Sequence, residues 1–94
     1  MLVTISADAA RLVRRTPSLL SRLKVATATA IREGHLIGGR WQFRIAPDEA
    51  TLLRASLHVE ADARRSSDAV TARLLDGAAA DITAAILFAR QQER

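Results

Sequence analysis

The sequence contains no cysteine and no tyrosine, and only three of its side chains are aromatic: Trp41, Phe43 and Phe88. Without cysteine the chain can form neither a disulfide framework nor a thiol-based site, and this composition fits a reducing cytoplasm. The two histidines, His35 and His58, lack the spacing of metal ligands. We therefore expect neither a metal nor any other cofactor.

Long apolar runs are also missing. No stretch approaches the roughly 18 to 20 residues of a membrane span, and Asp8 and Arg11 interrupt the segment that a signal peptide would keep apolar. These absences predict a cytoplasmic protein with no membrane association.

A chain of 94 residues is expected to form one domain. A domain of this size buries roughly 60 to 65% of its unfolded surface, so a dimer is a reasonable expectation.

Groups that could carry out catalysis are scarce. Asp48 and Glu49 are best explained as acidic residues in the first turn of a helix, at the positive end of its dipole. No serine lies in a nucleophile motif, and Gly34, Gly38 and Gly39 form neither a P-loop nor a dinucleotide fingerprint. We expect that the protein is not an enzyme.

Charge is divided unevenly along the chain. Residues 1 to 45 carry eight basic and two acidic groups, a local charge of +6, whereas residues 46 to 94 carry six basic and eight acidic groups, a local charge of −2. A basic segment indicates an anionic partner, most often nucleic acid. Thirteen of the fourteen basic residues are arginine. The alternative explanation is therefore an arginine-rich protein from a GC-rich genome, whose basic residues form an ordinary solvated face.

Residues 40 to 45 alternate polar and apolar side chains without exception. On a strand, one side would carry Trp41, Phe43 and Ile45, and the other Arg40, Gln42 and Arg44. Arginine pairs bidentately with guanine and with phosphate, and glutamine pairs with adenine. The polar row is therefore a candidate nucleic-acid surface, and the apolar row is expected in the core.

Two helices are predicted in the basic half. The first covers residues 6 to 13, with Ser6 as its N-cap and Ile5 on its apolar stripe. The second begins at Pro17 with Thr16 as its cap, because a proline favours the first helical position and displaces the preceding residue from helical geometry.

The second helix is predicted to stop before Gly34, although residues 25 to 31 would also suit a strand. A β-hairpin then follows over residues 35 to 45. Its two-residue turn is Gly38 and Gly39, which supply the positive φ angles that such a turn needs.

Two further helices are predicted in the acidic half, one beginning at Pro47 and one capped by residues 66 to 68, which Gly77 could split. Val70 is expected on the inner side of the last helix. Residues 67 to 92 are predicted to form a homodimer interface, since few other partners are expected for their apolar stripe. That stripe comprises Leu75, Ala78, Ile82, Ile86 and Ala89.

The order of helix, tight basic turn, Pro-initiated helix and two-stranded hairpin resembles the winged helix-turn-helix proteins of the MerR and phage-excisionase type. Residues 5 to 12 look like the opening helix of that family, residues 16 to 22 like the start of its recognition helix, and residues 33 to 43 like its glycine-leucine exit and wing. The resemblance covers residues 4 to 53. The predicted second helix is several residues longer than that of the family, and the first wing strand is shorter.

This resemblance implies a regulator that binds double-stranded DNA and has no catalytic activity. It would be a repressor or an excisionase-like protein of a phage or mobile element. The implied contacts are Ser18 and Arg22 in the major groove, Arg14 and Arg15 on phosphate at the turn, and Arg40, Gln42 and Arg44 along the backbone beside the wing.

A second resemblance competes over residues 40 to 75. Residues 40 to 49 look like the strand and helix start of ribbon-helix-helix repressors, and residues 64 to 74 are similar to the turn and second helix of that family. Those repressors place a ribbon of two chains in the major groove, so the same polar strand row would contact DNA.

These patterns together predict a mainly helical α+β protein with one β-hairpin. Residues 1 to 46 would form a basic helix-turn-helix with its hairpin, and residues 47 to 94 a helical dimerisation segment. The alternative is a ribbon-helix-helix core with an N-terminal helical extension. A protein-binding module, such as a small phage-type inhibitor or adaptor that docks its basic face on an acidic partner, remains the alternative function.

Overall fold

The computed structural model describes residues 1–92, which form three strands and five helices. The strands are β1 (Leu2–Ser6), β2 (His35–Ile37) and β3 (Arg40–Arg44). The helices are α1 (Ala7–Arg14), α2 (Pro17–Leu20), α3 (Val25–Arg32), α4 (Pro47–Arg64) and α5 (Ala69–Gln92). The predicted class, mainly helical α+β, is confirmed.

The sheet contains one strand more than the predicted hairpin. Its order is β1-β3-β2, fully antiparallel, with Val3 opposite Phe43 and Ile5 opposite Trp41. The prediction that Ile5 belongs to the apolar stripe of the first helix is wrong, because it lies in β1 and is buried. A five-residue strand whose partner lies almost forty residues later leaves little local signal, since cross-strand pairing supplies most of its stability.

The three predicted N-cap positions are confirmed, and two of them use a side chain. Ser6 accepts a hydrogen bond from the Ala9 N–H (3.1 Å) at the start of α1, and Asp68 caps α5 in the same way. Thr16 is the N-cap residue of α2, but only through its backbone, because its carbonyl accepts from the Leu20 N–H at 3.2 Å. Its hydroxyl donates to the Leu12 carbonyl at 2.7 Å instead, so α2 has no side-chain cap.

The predicted second helix is divided into α2 and α3. Residues 25 to 31 are helical, as preferred, but the continuous helix from Pro17 to Gly34 is wrong. The chain leaves α2 after Leu20 and turns so that Leu23 is buried. The tertiary contact that starts α3 comes from a residue of α4, described below, and no local pattern could indicate it.

Two glycine sites fix the hairpin. Gly38 and Gly39 have φ angles of +59° and +79°, which confirms the predicted tight turn. Gly34 allows a close approach instead: a β-carbon at this position would lie 2.5 Å from the Gln42 carbonyl oxygen and 2.6 Å from Trp41 Nε1. Any other residue would push the end of α3 away from β3.

Helices α4 and α5 pack against each other, and α5 also covers β1 and α1. The inner face of α5 comprises Ala72, Leu75, Ala78, Ala79, Ile82 and Ile86. The apolar stripe of α5, which was expected to bind a second chain, is therefore mostly buried within the same chain. It packs against β1 and α4, and the sequence did not reveal these contacts. The inner placement of Val70 is also wrong, since 69% of it is exposed, and Gly77 does not split the helix.

We predict that Phe43→Ala lowers the free energy of unfolding by about 3 to 5 kcal/mol, because the Phe43 ring is buried beneath the sheet. Leu36→Ala, on the same hairpin but 61% exposed, is the matched control and should change stability by less than about 0.5 kcal/mol. Urea denaturation of both variants measures the difference. Equal effects would contradict burial of the apolar row.

Candidate nucleic-acid interface

The N-terminus of α3 is held by a carboxylate from another helix. Glu49, in the first turn of α4, accepts hydrogen bonds from the Lys24 backbone N–H (2.8 Å) and from the Thr27 hydroxyl (2.7 Å). In a capping box, a Glu three residues into the helix bonds the N-cap N–H. Here Thr27 occupies that position and Glu49 supplies the carboxylate from outside. The sequence correctly placed Glu49 in a first turn but missed this contact.

Burial and charge together fix this contact. Glu49 is buried, and the hydrogen bond from Thr27, followed by that from the Lys24 N–H, lowers the pKa of Glu49 below its ordinary value. The group is therefore ionised at neutral pH and satisfied by donors. A charge fixed in this way positions the start of α3.

The C-terminal end of α3 is held against the hairpin. The indole N–H of Trp41 donates to the Ile31 carbonyl at 2.8 Å, close to the contact that requires glycine at position 34. With both ends fixed and Thr27, Ala28 and Ile31 buried, the helix presents one outer face. Its exposed residues are Val25, Ala26, Thr29 and Arg32. Three of these four side chains are short, so another surface can approach the backbone of α3 closely.

Two concavities lie between α3 and β3 and share Arg44. Lys24, Ala26 and Glu49 line the first with Arg44, and Ala30, Glu33 and Gln42 line the second with Arg44. We call the two concavities together the groove. Strand β2 pairs with β3 only as far as Gln42, so α3 occupies the space beside the last residues of β3. The groove thus brings two predicted site residues, Gln42 and Arg44, next to the exposed face of a helix.

The predicted polar row is not uniformly exposed. The guanidinium of Arg40 contacts Asp81 of α5 at 3.0 Å and the Thr4 carbonyl oxygen at 3.0 Å. Gln42 is half-buried, whereas Arg44 is exposed. No ion pair involves Arg44 among residues 1–92. Arg40 therefore ties β3 to α5, and Arg44 is the member of the row best placed to meet a ligand.

Ser18 and Arg22 lie apart from the helix that precedes the hairpin. Both contact Glu60 of α4, the Ser18 hydroxyl at 2.8 Å and the Arg22 guanidinium at 3.5 Å, and Arg64 lies 3.7 Å from the same carboxylate. These contacts join α2 to α4. The structure therefore places α3, and not the segment beginning at Thr16, beside the hairpin.

Arg14 and Arg15 form a separate group with Arg11 at the C-terminal end of α1. The guanidinium carbon of Arg14 lies 4.3 Å from the centre of the Trp41 ring. Because Trp41 and Arg44 point to opposite faces of β3, these arginines are not in the groove that Gln42 and Arg44 line.

Sequence reasoning missed the two buried carboxylates of α4. Glu49 and Glu60 lie at helical spacing from Leu53, on the stripe of α4 that faces the core. The sequence could have revealed them as acidic residues on the same helical stripe as a core leucine. Their partners could not be identified, because they lie on α2 and α3 and are distant in sequence. Arg11 was also missed, although it lies one helical turn before Arg14 and Arg15.

Comparison of the chain with models of known families, with curated proteins and with solved structures gave no match. None of the helices described for residues 1–92 combines the length and the apolar character needed to cross a bilayer. Over the same residues, no three His, Asp or Glu side chains are grouped so that they could hold a metal ion.

We predict that Glu49 makes stability depend on pH. Because its folded pKa is lowered, its contribution is complete above the ordinary glutamate pKa and is lost as the pH falls through the folded value. The free energy of unfolding of wild-type protein should therefore exceed that of Glu49→Gln near neutral pH, and the gap should narrow as the pH falls below the ordinary glutamate pKa.

Urea denaturation at several pH values measures this gap. Asp48→Asn is the control, since it removes an adjacent exposed carboxylate that makes no hydrogen bond to Lys24 or Thr27. A gap between wild type and Glu49→Gln that stays constant with pH would show that the charge of Glu49 does not hold α3.

Proposed function

We propose that this protein is a small DNA-binding regulator of the winged helix-turn-helix type, with α3 as its recognition helix and the β2–β3 hairpin as its wing. The observation that carries the proposal is the pairing of a well-anchored helix, exposed along one face, with a glycine-turned hairpin directly after it. The resemblance to MerR and excisionase-type proteins had put the start of the recognition helix at residues 16 to 22, which form α2 and its exit; we transfer that role to α3, the helix directly before the hairpin. What supports the assignment is the shared order of helices followed by a hairpin.

The chemistry of the outer face of α3 suits a major groove. Short residues let the helix approach closely, the methyl groups of Ala26 and Thr29 can contact a thymine methyl, and Arg32 can reach guanine. Lys24 and Arg44 lie at the groove beside α3, where they can contact phosphate on either side of the helix. We propose these five residues as the DNA-contacting set, with Lys24 exchanging its exposed partner Asp48, 3.9 Å away, for phosphate. They replace Ser18, Arg22 and Arg40, whose side chains contact groups within the chain at 3.5 Å or less.

The ribbon-helix-helix alternative fits less well. Its DNA-contacting ribbon needs a strand that pairs with the same strand of a second chain, but β3 lies in the centre of the sheet with β1 and β2 on its two sides. One of these strands would have to leave before β3 could pair with another copy. Loss of β1 would expose Val3 and Ile5 and so remove part of the core, and loss of β2 would open the hairpin.

An exposed Trp41 would have favoured the protein-binding alternative. In the structure Trp41 is half-buried, donates to Ile31 and packs beside the core. A tryptophan engaged in this way is not free to serve as an interface anchor. We therefore favour DNA over an acidic protein as the anionic partner, and propose action in the cytoplasm without cofactor or catalysis.

The test is a titration of the protein against duplex DNA at two salt concentrations. A DNA-binding protein should bind random duplex at low salt and lose affinity steeply as counterions compete, with a slope of about −0.9 per phosphate contact. A specific site selected from a random pool should bind more tightly than bulk duplex. Absence of any binding at low salt would overturn the proposal.

Within that assay, we predict that Arg44→Ala weakens DNA binding by about 1 to 3 kcal/mol. Uniform weakening with a salt slope reduced by about one indicates a phosphate contact, as expected for a wing, whereas loss of sequence preference indicates base reading. Arg73→Ala, an exposed arginine on α5, is the matched control. Equal losses in both variants would show that net charge alone is being measured.

We also propose that the protein acts as a homodimer through the outer face of α5. Phe88 and Leu87 remain 63% and 52% exposed there, with Ala84 exposed one turn earlier. Sedimentation at micromolar concentration should give a dimer, and Phe88→Glu should give a monomer because the charge cannot be buried without a partner. Ala55→Glu, exposed on α4, controls for added charge. A monomeric wild-type protein would contradict the proposal.

A further inference from the structure

Three guanidinium groups converge at the C-terminal end of α1. Arg11, Arg14 and Arg15 alone line a shallow concavity there. Among residues 1–92, neither Arg14 nor Arg15 has a carboxylate oxygen within 4.0 Å, and Arg11 has only the exposed Asp8 at 3.9 Å. The other basic clusters of the fold differ, because Arg22, Arg40 and Arg65 are each paired with a carboxylate.

Arg14 is held in place before any ligand arrives. Its Nε–H donates to the Ala10 carbonyl at 3.3 Å, and its guanidinium lies over the Trp41 ring at 4.3 Å. The ring is itself fixed by the hydrogen bond to Ile31. A cation over an aromatic face is stabilised without losing its outward N–H donors, so Arg14 keeps donors available to an anion.

The balance of charge at this site favours an anion. The three guanidinium groups contribute +3, Asp8 contributes −1, and the end of the α1 dipole contributes about −0.5. A net charge near +1.5 remains in a concavity that lacks a compensating group. Phosphate matches it best, because guanidinium groups form charge-assisted, bidentate hydrogen bonds with phosphate oxygens.

We propose that Arg11, Arg14 and Arg15 form a preformed oxyanion site that holds a backbone phosphate of the bound DNA. The inference rests on the proposed function. Since Trp41 and Arg44 point to opposite faces of β3, the phosphate at this site differs from the one that Arg44 meets. The hairpin is thus flanked by one phosphate contact on each face.

Trp41 makes the site directly observable, because it is the single tryptophan of the chain and lies under Arg14. Titration with inorganic pyrophosphate, against sodium chloride at matched ionic strength, should change its fluorescence saturably. Arg15→Ala leaves the Arg14–Trp41 pair intact and should weaken pyrophosphate binding about tenfold, the loss of one charge-assisted contact. Arg73→Ala should have no effect. The absence of a saturable change in the wild-type protein would overturn the proposal.

The second arm uses duplex DNA. Arg15→Ala and Arg44→Ala should each reduce the salt slope by about one, and the double variant by about two, because they contact different phosphates. If the wild-type protein binds DNA but Arg11→Ala and Arg15→Ala leave the slope unchanged, the site assignment fails and the proposed function stands. If pyrophosphate binds but DNA does not, the assignment to DNA and the proposed function both fail.

Discussion

The alternation of side chains along β3 is the constraint on which the other elements depend. Its inward residues, Trp41 and Phe43, pack on the core and position both α3 and Arg14, while Arg40 and Arg44 project from the other face. Both edges of the strand are paired. A shift of register by one residue would reverse every one of these contacts, so the pairing of β3 with β1 and β2 determines where the basic residues lie.

The carboxylates of α4 complete this arrangement from the opposite side. Glu49 holds the start of α3, and Glu60 holds Ser18 and Arg22 of the α2 region. Removing one partner from a buried ionic contact is costly, because the remaining charge loses its compensation. The acidic half of the sequence therefore positions the basic half, and the charge asymmetry along the chain is partly an internal complementarity.

The sequence predicted the features with strong local signals. The glycine turn, the alternating strand, the proline start of α4 and the caps at Ser6 and Asp68 all agree with the structure. It did not predict β1, the start of α3, or the partners of Glu49 and Glu60, since each depends on a residue more than twenty positions away. Among the predicted site residues, Arg14, Arg15 and Arg44 remain candidates. Ser18, Arg22 and Arg40 instead contact carboxylates within the chain. Whether a side chain is exposed depends on the tertiary structure, so residue type alone could not predict which of these site residues are exposed.

The coverage of β1 by α5 has a consequence for how the chain folds. Strand β1 pairs with a segment synthesised almost forty residues later, and its outer side is then packed by a helix synthesised later still. The α4–α5 pair is local in sequence and can form early, whereas the sheet must close a long loop before its contacts stabilise it. The basic half therefore cannot be excised as an autonomous module: without α5 it would expose Val3 and Ile5, and α3 would lose the platform that orients it.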